Sequence, residues 1–181
     1  MPYEPPPELA GLSLAEIAEL VDARKLPPLE KWSPQEVGDS EMRIAADGRW
    51  FHQGGEIRRP AMVRAFSSLL MRDPEGQHWL VTPTQKLSIA VDDAAFIAID
   101  VRQDGEGLAF RLNTDDLVIA GPEHALRVAG DPDSPAAYLA VRHGTEARLN
   151  RSTWAQLAEI AIAGDSTSVS SLGATFSLLP E

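Results

Sequence analysis

The chain has 181 residues, 16 of them basic and 27 acidic, and its net charge is −11. A chain of this length can bury a core in one domain or in two small lobes, and this charge disfavours binding to nucleic acid or to an anionic membrane. The sequence has no cysteine, which excludes disulfides, thiolate catalysis and cysteine-ligated metal sites.

Residues 1–27 are predicted to form an N-terminal arm and a short helix. The first residues are proline-rich, which is typical of an extended arm. Ser13 and Glu16 then form a capping-box pattern ahead of apolar residues at helical spacing, which predicts a helix over residues 13–24. No secretory signal and no apolar run of about 18 residues is present, so a cytoplasmic location is expected.

Residues 28–90 are predicted to form the first α+β lobe. Asp47-Gly48 is a strong signal for a two-residue hairpin turn with a left-handed glycine. Pro60 stands where a helix can begin, and the apolar residues after it predict a helix over residues 60–72. The predicted strands of this lobe are residues 42–44, 50–52, 56–58, 79–81 and 87–91.

Residues 91–181 are predicted to form the second α+β lobe. Its strand patterns follow one another so closely that crossover helices do not fit between them, which predicts antiparallel pairing. Ser152 is the predicted cap of a helix that Gly164 ends. The predicted strands of this lobe are residues 96–101, 108–112, 116–120, 125–128, 138–141, 146–149 and 174–178.

The two lobes are predicted to share an internal repeat. Residues 51–62 and residues 141–154 each consist of a strand, a glycine turn, a second strand and the start of a helix with an aromatic residue. The predicted fold class is therefore α+β, with two small lobes of mostly antiparallel strands and a hairpin-plus-helix unit in each.

Six segments of the chain carry residues at spacings that are similar to those of a known family. They are Trp32-x-Pro34, Gly38-x-x-x-Met42-Arg43-Ile44-x-x-Asp47-Gly48-x-Trp50-Phe51, Ile57-x-Arg59-x-x-x-Val63, Val81-Thr82-Pro83-x-x-Lys86, Val91-Asp92-Asp93 and Gly121-Pro122-x-His124-x-Leu126-Arg127. This pattern resembles the uncharacterised bacterial family called domain of unknown function 1285, from about Leu26 to the C-terminus. The resemblance implies a two-lobed α+β fold with a repeated motif and, as its only functional hint, a ligand-sensing or signalling role. The chain departs from the family pattern at Ser171-Leu172-Gly173, where a more aromatic strand is expected.

No linear motif of catalysis or cofactor binding is present. The chain has no Gly-x-Ser-x-Gly elbow, and Gly105-x-Gly107 lies between strands rather than before a helix. Its four histidines lack the spacing of a metal site, so no metal is predicted, and the cofactor is left unknown. Asp100 follows a run of apolar residues and is the candidate for a buried polar side chain, which would require a charged partner.

Four basic residues are the candidate ligand-binding side chains. Each lies at a predicted strand end or beside an interruption of the strand pattern, where side chains can converge without filling the core. An anionic ligand is predicted for them, in a groove between the lobes. The opposing interpretation treats them as scattered surface cations with separate partners. The four candidates are Arg43, Lys86, His124 and Arg127.

Three functions remain open from the sequence. The leading one is a sensing or adaptor module that binds a small anionic ligand or a protein partner, because catalytic motifs are lacking. The second is a small hydrolase or isomerase that uses Asp100 or His124 as its acid–base group. The third is a structural subunit of a homo-oligomer.

Overall fold

The computed structural model describes residues 26–181, which fall into two compact units. The first unit runs through Ala95 and also includes His143–Thr145, and the second contains Phe96–Arg142 and Glu146–Glu181. The boundary between the units thus lies a few residues beyond the expected end of the first lobe at residue 90. The helix predicted over residues 13–24 lies outside the described residues.

The first unit contains a six-stranded sheet built from two three-stranded meanders. Its strands are β1 (Glu36–Ile44), β2 (Trp50–His52), β3 (Gly55–Ile57), β4 (Leu70–Arg72), β5 (His78–Val81) and β6 (Gln85–Val91). Their order across the sheet is β3-β2-β1-β6-β5-β4. Pairing within each meander is antiparallel, and the meanders join through a parallel pair, β1 and β6.

The second unit repeats this arrangement. Its strands are β7 (Phe96–Asp104), β8 (Gly107–Leu112), β9 (Leu117–Ile119), β10 (Leu126–Asp131), β11 (Ser134–Ala140) and β12 (Glu146–Leu149), in the order β10-β11-β12-β7-β8-β9. The first and last strands, β7 and β12, again form the parallel pair. A separate two-stranded sheet follows, made of β13 (Ser168–Ser171) and β14 (Ala174–Ser177).

The strand order shows a repeat that differs from the predicted one. Each sheet does contain a hairpin followed by a helix, but that hairpin is β2–β3 in the first sheet and β11–β12 in the second. The two hairpins therefore occupy different places in the common strand order. Mostly antiparallel pairing is confirmed. The two parallel pairs were missed because each joins strands at opposite ends of a six-strand segment, where local spacing carries no signal.

Two α-helices lie among the described residues, α1 (Pro60–Ser67) and α2 (Arg151–Ala163). Pro60 begins α1 as predicted, and Phe66 on this helix stacks on Trp50 with ring centroids 6.4 Å apart in the core of the first unit. Neither described helix is long enough to cross a membrane.

The predicted extension of the first helix to residue 72 is wrong. The chain leaves the helix after Ser67, and Leu70 instead pairs with Leu80 in the sheet. Leu69 and Leu70 are both fully buried. A short apolar run that is buried on all sides has the same pattern in a helix and in a strand, so periodicity alone could not separate them.

Three details of the second unit also differ from expectation. The cap of α2 is Asn150, whose side chain accepts the Thr153 N–H, rather than Ser152; the helix ends at Gly164 as predicted. Strand β13 is not among the predicted strands. Strands β10 and β11 extend past the predicted residues 125–128 and 138–141 and join in a tight hairpin in which Asp131 pairs with Ser134.

The turn at Asp47-Gly48 has the predicted left-handed glycine, since Gly48 has a φ of 88°. The turn is longer than two residues: the Gly48 N–H donates to the Ala45 carbonyl, and the Ala45 N–H donates to the Arg49 carbonyl.

Replacing Gly48 with valine should destabilise the protein, because a β-branched side chain strongly disfavours positive φ. We expect the free energy of unfolding to fall by about 1 kcal/mol or more. Urea denaturation of the variant and the wild type measures this difference. An unchanged midpoint would contradict the turn geometry.

Candidate binding surfaces

Each six-stranded sheet has one buried face and one face directed to solvent, which we call its outer face. In β1, Met42 and Ile44 are buried, while Arg43 between them is exposed. In β10, Leu126 and Val128 are buried, while Arg127 is exposed. Because side chains alternate along a strand, the predicted cations Arg43 and Arg127 both lie on outer faces.

The outer face of the first sheet carries an aromatic ring between two arginines. The guanidinium carbons of Arg43 and Arg49 lie 5.6 and 5.5 Å from the centroid of the Phe51 ring. Asp92 holds Arg43 through contacts of 3.1, 3.0 and 2.8 Å, and Asp47 holds Arg49 at 2.7 Å. We call Arg43, Phe51 and Arg49 the first arginine–aromatic cluster.

The ion pairs of this cluster shift the pKa values of Arg43 and Asp47. Hydrogen bonding to Asp92, together with its negative charge, raises the pKa of the Arg43 guanidinium above its ordinary value. Hydrogen bonds from the backbone and then the side chain of Arg49 lower the pKa of Asp47. The two carboxylates hold the guanidinium groups in place beside the ring.

Lys86, another predicted cation, lies over an aromatic ring of the same sheet. Its Nζ is 4.4 Å from the centroid of Trp79. The Trp79 Nε1–H donates to the Asp73 carboxylate at 2.9 Å, and this hydrogen bond is the largest cause of the lowered pKa of Asp73. The indole thus links a cation on its face to an anion at its edge.

The outer face of the second sheet carries a similar set. Arg127, Tyr138 and Arg148 are opposite one another on β10, β11 and β12. The guanidinium carbons of the two arginines lie 4.2 and 5.5 Å from the centroid of the tyrosine ring. Glu146 accepts two hydrogen bonds from Arg127, at 2.7 and 2.8 Å. We call Arg127, Tyr138 and Arg148 the second arginine–aromatic cluster.

The other two predicted site residues have less distinctive surroundings. His124 forms an isolated bridge with Gly121, and its Nδ1 lies 2.9 Å from the Ala140 carbonyl oxygen, so the ring is anchored to backbone. Asp100 is half-buried rather than buried, and it lies opposite Arg111 beside a bulge in β7.

A mostly buried charged side chain near β7 is that of Arg142, not that of Asp100. Its side chain is 14% exposed, it stacks on Phe96 at 5.1 Å, and its guanidinium lies 3.6 Å from the Asp116 carboxylate. Desolvation lowers the pKa of Arg142 below its ordinary value, although Asp116 opposes that shift. A buried cation paired with an acid is expected to serve the fold of the second unit.

Each of the four predicted cations therefore has an interaction partner within its own unit. Arg43 and Arg127 have carboxylate partners, Lys86 lies on an indole and His124 is held by a carbonyl. Within residues 26–181, no group of three or more acidic or histidine side chains is placed to hold a metal.

The aromatic members of both clusters, Phe51 and Tyr138, were not among the residues predicted from the sequence. Phe51 lies opposite Arg43, and Tyr138 lies opposite Arg127, so each aromatic faces its cation across a strand pair. The sequence pattern that could have indicated them is an outward-facing aromatic residue on one strand and an outward-facing arginine on the neighbouring strand. Finding it required the register, which the sequence did not provide for β10 and β11.

Two family models together match nearly all the described residues. The model described as "Domain of unknown function (DUF1285), N-terminal domain" matches residues 27–94. The model described as "Protein of unknown function (DUF1285), C-terminal domain" matches residues 95–178. No curated protein matches the chain.

Two solved structures are similar to this chain. A DUF1285 family protein from Silicibacter pomeroyi DSS-3 is 37% identical, with a TM-score of 0.76, over 93% of this chain and 95% of that one. A DUF1285 family protein from Shewanella baltica OS155 is 20% identical, with a TM-score of 0.54, over 65% of this chain and 90% of that one. The second likeness concerns the fold alone.

Proposed function

The chain belongs to the DUF1285 family, and we propose that it is a non-catalytic sensing or adaptor module that binds another protein through the outer faces of its sheets. The observation that carries this proposal is the recurrence of an aromatic ring between two arginines on both outer faces. Arginine and aromatic residues are the types most enriched at the energetic centres of protein interfaces.

The geometry of the clusters favours a protein over a small molecule. Arg43, Arg49 and Arg127 have side chains that are 54%, 58% and 49% exposed to solvent. Small-molecule sites are concave. An open groove of about 510 Å³ lies at the end of α2, but its lining of Ile162, Asp165, Ser166 and Thr167 includes no member of either cluster.

Stacking and ion pairing also prepare these side chains for binding. An exposed arginine loses conformational entropy when a partner immobilises it. Here the rings of Phe51 and Tyr138 and the carboxylates of Asp92 and Glu146 already restrict the guanidinium groups. A partner with hydrogen-bond acceptors and an apolar surface therefore encounters a preorganised patch.

Site-specific photo-crosslinking tests the protein-binding role. Benzoylphenylalanine placed at Tyr138, in the cell that encodes the protein, should form an adduct with a specific protein. The same group at the exposed Glu159 on α2 should not. Replacing Arg127 with alanine should reduce the Tyr138 adduct about tenfold or more, the effect of losing a central interface arginine. Equal labelling at both positions, or no effect of the alanine variant, would contradict the proposal.

A small anion is the alternative ligand, since Arg43 and Arg127, both predicted anion ligands, are members of the two clusters. Calorimetric titration with citrate and with inorganic phosphate separates the two ideas. Heat of binding that Arg127→Ala abolishes, without any protein adduct at position 138, would favour the anion. Adducts without such heat would favour the protein partner.

A further inference from the structure

A second candidate surface lies at the edge of the second sheet, outside both arginine–aromatic clusters. Strand β9 ends the strand order and pairs only with β8 in the described part of the chain. It carries two exposed aliphatic side chains, Leu117 at 60% and Ile119 at 42%. Leu172, 51% exposed in the turn between β13 and β14, lies with Ile119 next to Gly107. We call Leu117, Ile119 and Leu172 the aliphatic patch.

The backbone of β9 offers hydrogen bonds at the same two residues. The Ala120 N–H donates to Leu108, and the Leu112 N–H donates to Asp116, so the even-numbered residues of this segment bond to β8. Backbone groups alternate in direction along a strand. The N–H and C=O groups of Leu117 and Ile119 therefore point to the free edge, where an extended segment can pair with them.

The aliphatic patch is assembled at a cost in backbone strain. Leu172 has a φ of 49°, a left-handed conformation that glycine or asparagine adopts more readily than leucine. Its N–H donates to the Glu106 carbonyl, which holds the turn in place. The two-residue hairpin turn Leu172-Gly173 takes positive φ at both residues, and it places the half-exposed leucine side chain in the patch.

Two glycines make room for the patch. A Cβ at Gly107 would lie 2.9 Å from the Ile119 Cγ2 and 3.6 Å from the Leu172 Cδ2. A Cβ at Gly121 would lie 3.4 Å from two atoms of the Leu172 side chain. Any larger residue at Gly107 would push Ile119 out of its present position.

The charges around β9 define the chemistry of the occupant. The exposed Asp115 comes before the strand and the exposed Glu123 follows it, while Asp116 is already paired with Arg142. The chain as a whole carries −11, which opposes the approach of a second copy. A segment with aliphatic residues at alternate positions and basic residues at its ends matches both the patch and these carboxylates.

We propose that β9 is a docking edge, at which an extended, basic-ended aliphatic segment of a partner protein adds a seventh strand to the second sheet. This proposal does not depend on the arginine–aromatic clusters. A variant at Tyr138 should leave it intact.

Selection of random 12-residue peptides displayed on phage tests the docking edge, with an excess of the Ile119→Pro variant as competitor. Proline removes the outward N–H of Ile119 together with its aliphatic side chain, leaves the even-numbered residues free to bond to β8, and is tolerated on an edge strand. We expect peptides with alternating aliphatic residues and terminal lysine or arginine. A synthetic copy should slow amide hydrogen exchange at Leu117 and Ile119 and bind Ile119→Pro about tenfold or more weakly, while Tyr138→Ala binds it normally.

The second variant, Leu172→Asn, keeps the test valid if proline disturbs the strand. Asparagine suits the left-handed turn, so the protein should remain folded while peptide binding weakens. Absence of an enriched peptide class, or equal binding by wild type, Ile119→Pro and Leu172→Asn, would overturn the proposal. So would a wild-type dimer that Ile119→Pro converts to a monomer, since the occupant would then be a second copy.

Discussion

Replacing Gly144 with alanine should lower the free energy of unfolding by about 3 kcal/mol or more. Gly144 has a φ of 78°, which costs an L-residue about 1–2 kcal/mol. A Cβ there would also lie 2.5 Å from the Arg72 carbonyl oxygen, an overlap that forces the backbone to move and costs typically about 1–3 kcal/mol. The His143 carbonyl accepts the Arg72 N–H next to this contact, so the segment cannot move without losing a hydrogen bond.

Gly54 provides a matched control for this prediction. It has a φ of 83°, but a Cβ there would meet nothing within 4 Å. Gly54→Ala should therefore show only the conformational cost of about 1–2 kcal/mol. Urea denaturation followed by tryptophan fluorescence reports on the first unit through Trp50 and Trp79, and both glycines belong to that unit. Equal losses for the two variants would show that the predicted overlap with Arg72 is absent.

The sequence predicted what short-range patterns determine. Most strands were found from alternating side chains, and Gly48 and Gly164 were assigned from their local roles at a turn and a helix end. These features depend on neighbours within a few residues along the chain. The short-range pattern failed where burial on every side removes it, as at Leu69 and Leu70.

The pairing of strands that are distant along the chain could not be predicted from the sequence. The parallel pairs of β1 with β6 and of β7 with β12 join residues tens of positions apart, and no local residue marks them. The same limit applied to the site. Arg127 was singled out as a cation, but its place beside Tyr138 and Glu146 depends on the register of β10, β11 and β12.

Replacing Ser171 with alanine should be the other strongly destabilising change, because one buried hydroxyl serves two backbone groups. Ser171 is fully buried on β13, and its Oγ accepts the Leu108 N–H and donates to the Ala120 carbonyl, both at 2.7 Å. Alanine leaves both groups without this partner in a site closed to water. At about 1–3 kcal/mol for each of the two buried unsatisfied groups, we expect a loss of about 2–6 kcal/mol.

Ser170→Ala is the matched control, because the Ser170 hydroxyl is exposed and its hydrogen bond is to the Thr175 hydroxyl. We expect this variant to change the free energy of unfolding by no more than about 0.5 kcal/mol. Guanidinium denaturation followed by far-UV circular dichroism compares the two variants. The Ser171 variant should also weaken peptide binding at β9, since the Ser171 bonds to Leu108 and Ala120 hold the β13–β14 turn, and with it Leu172, against the end of β8 and β9. Equal midpoints for Ser170→Ala and Ser171→Ala would show that the hairpin does not depend on the Ser171 hydroxyl. If Ser171→Ala is destabilised but still binds the peptide, peptide binding at the aliphatic patch does not depend on the hairpin that carries Leu172.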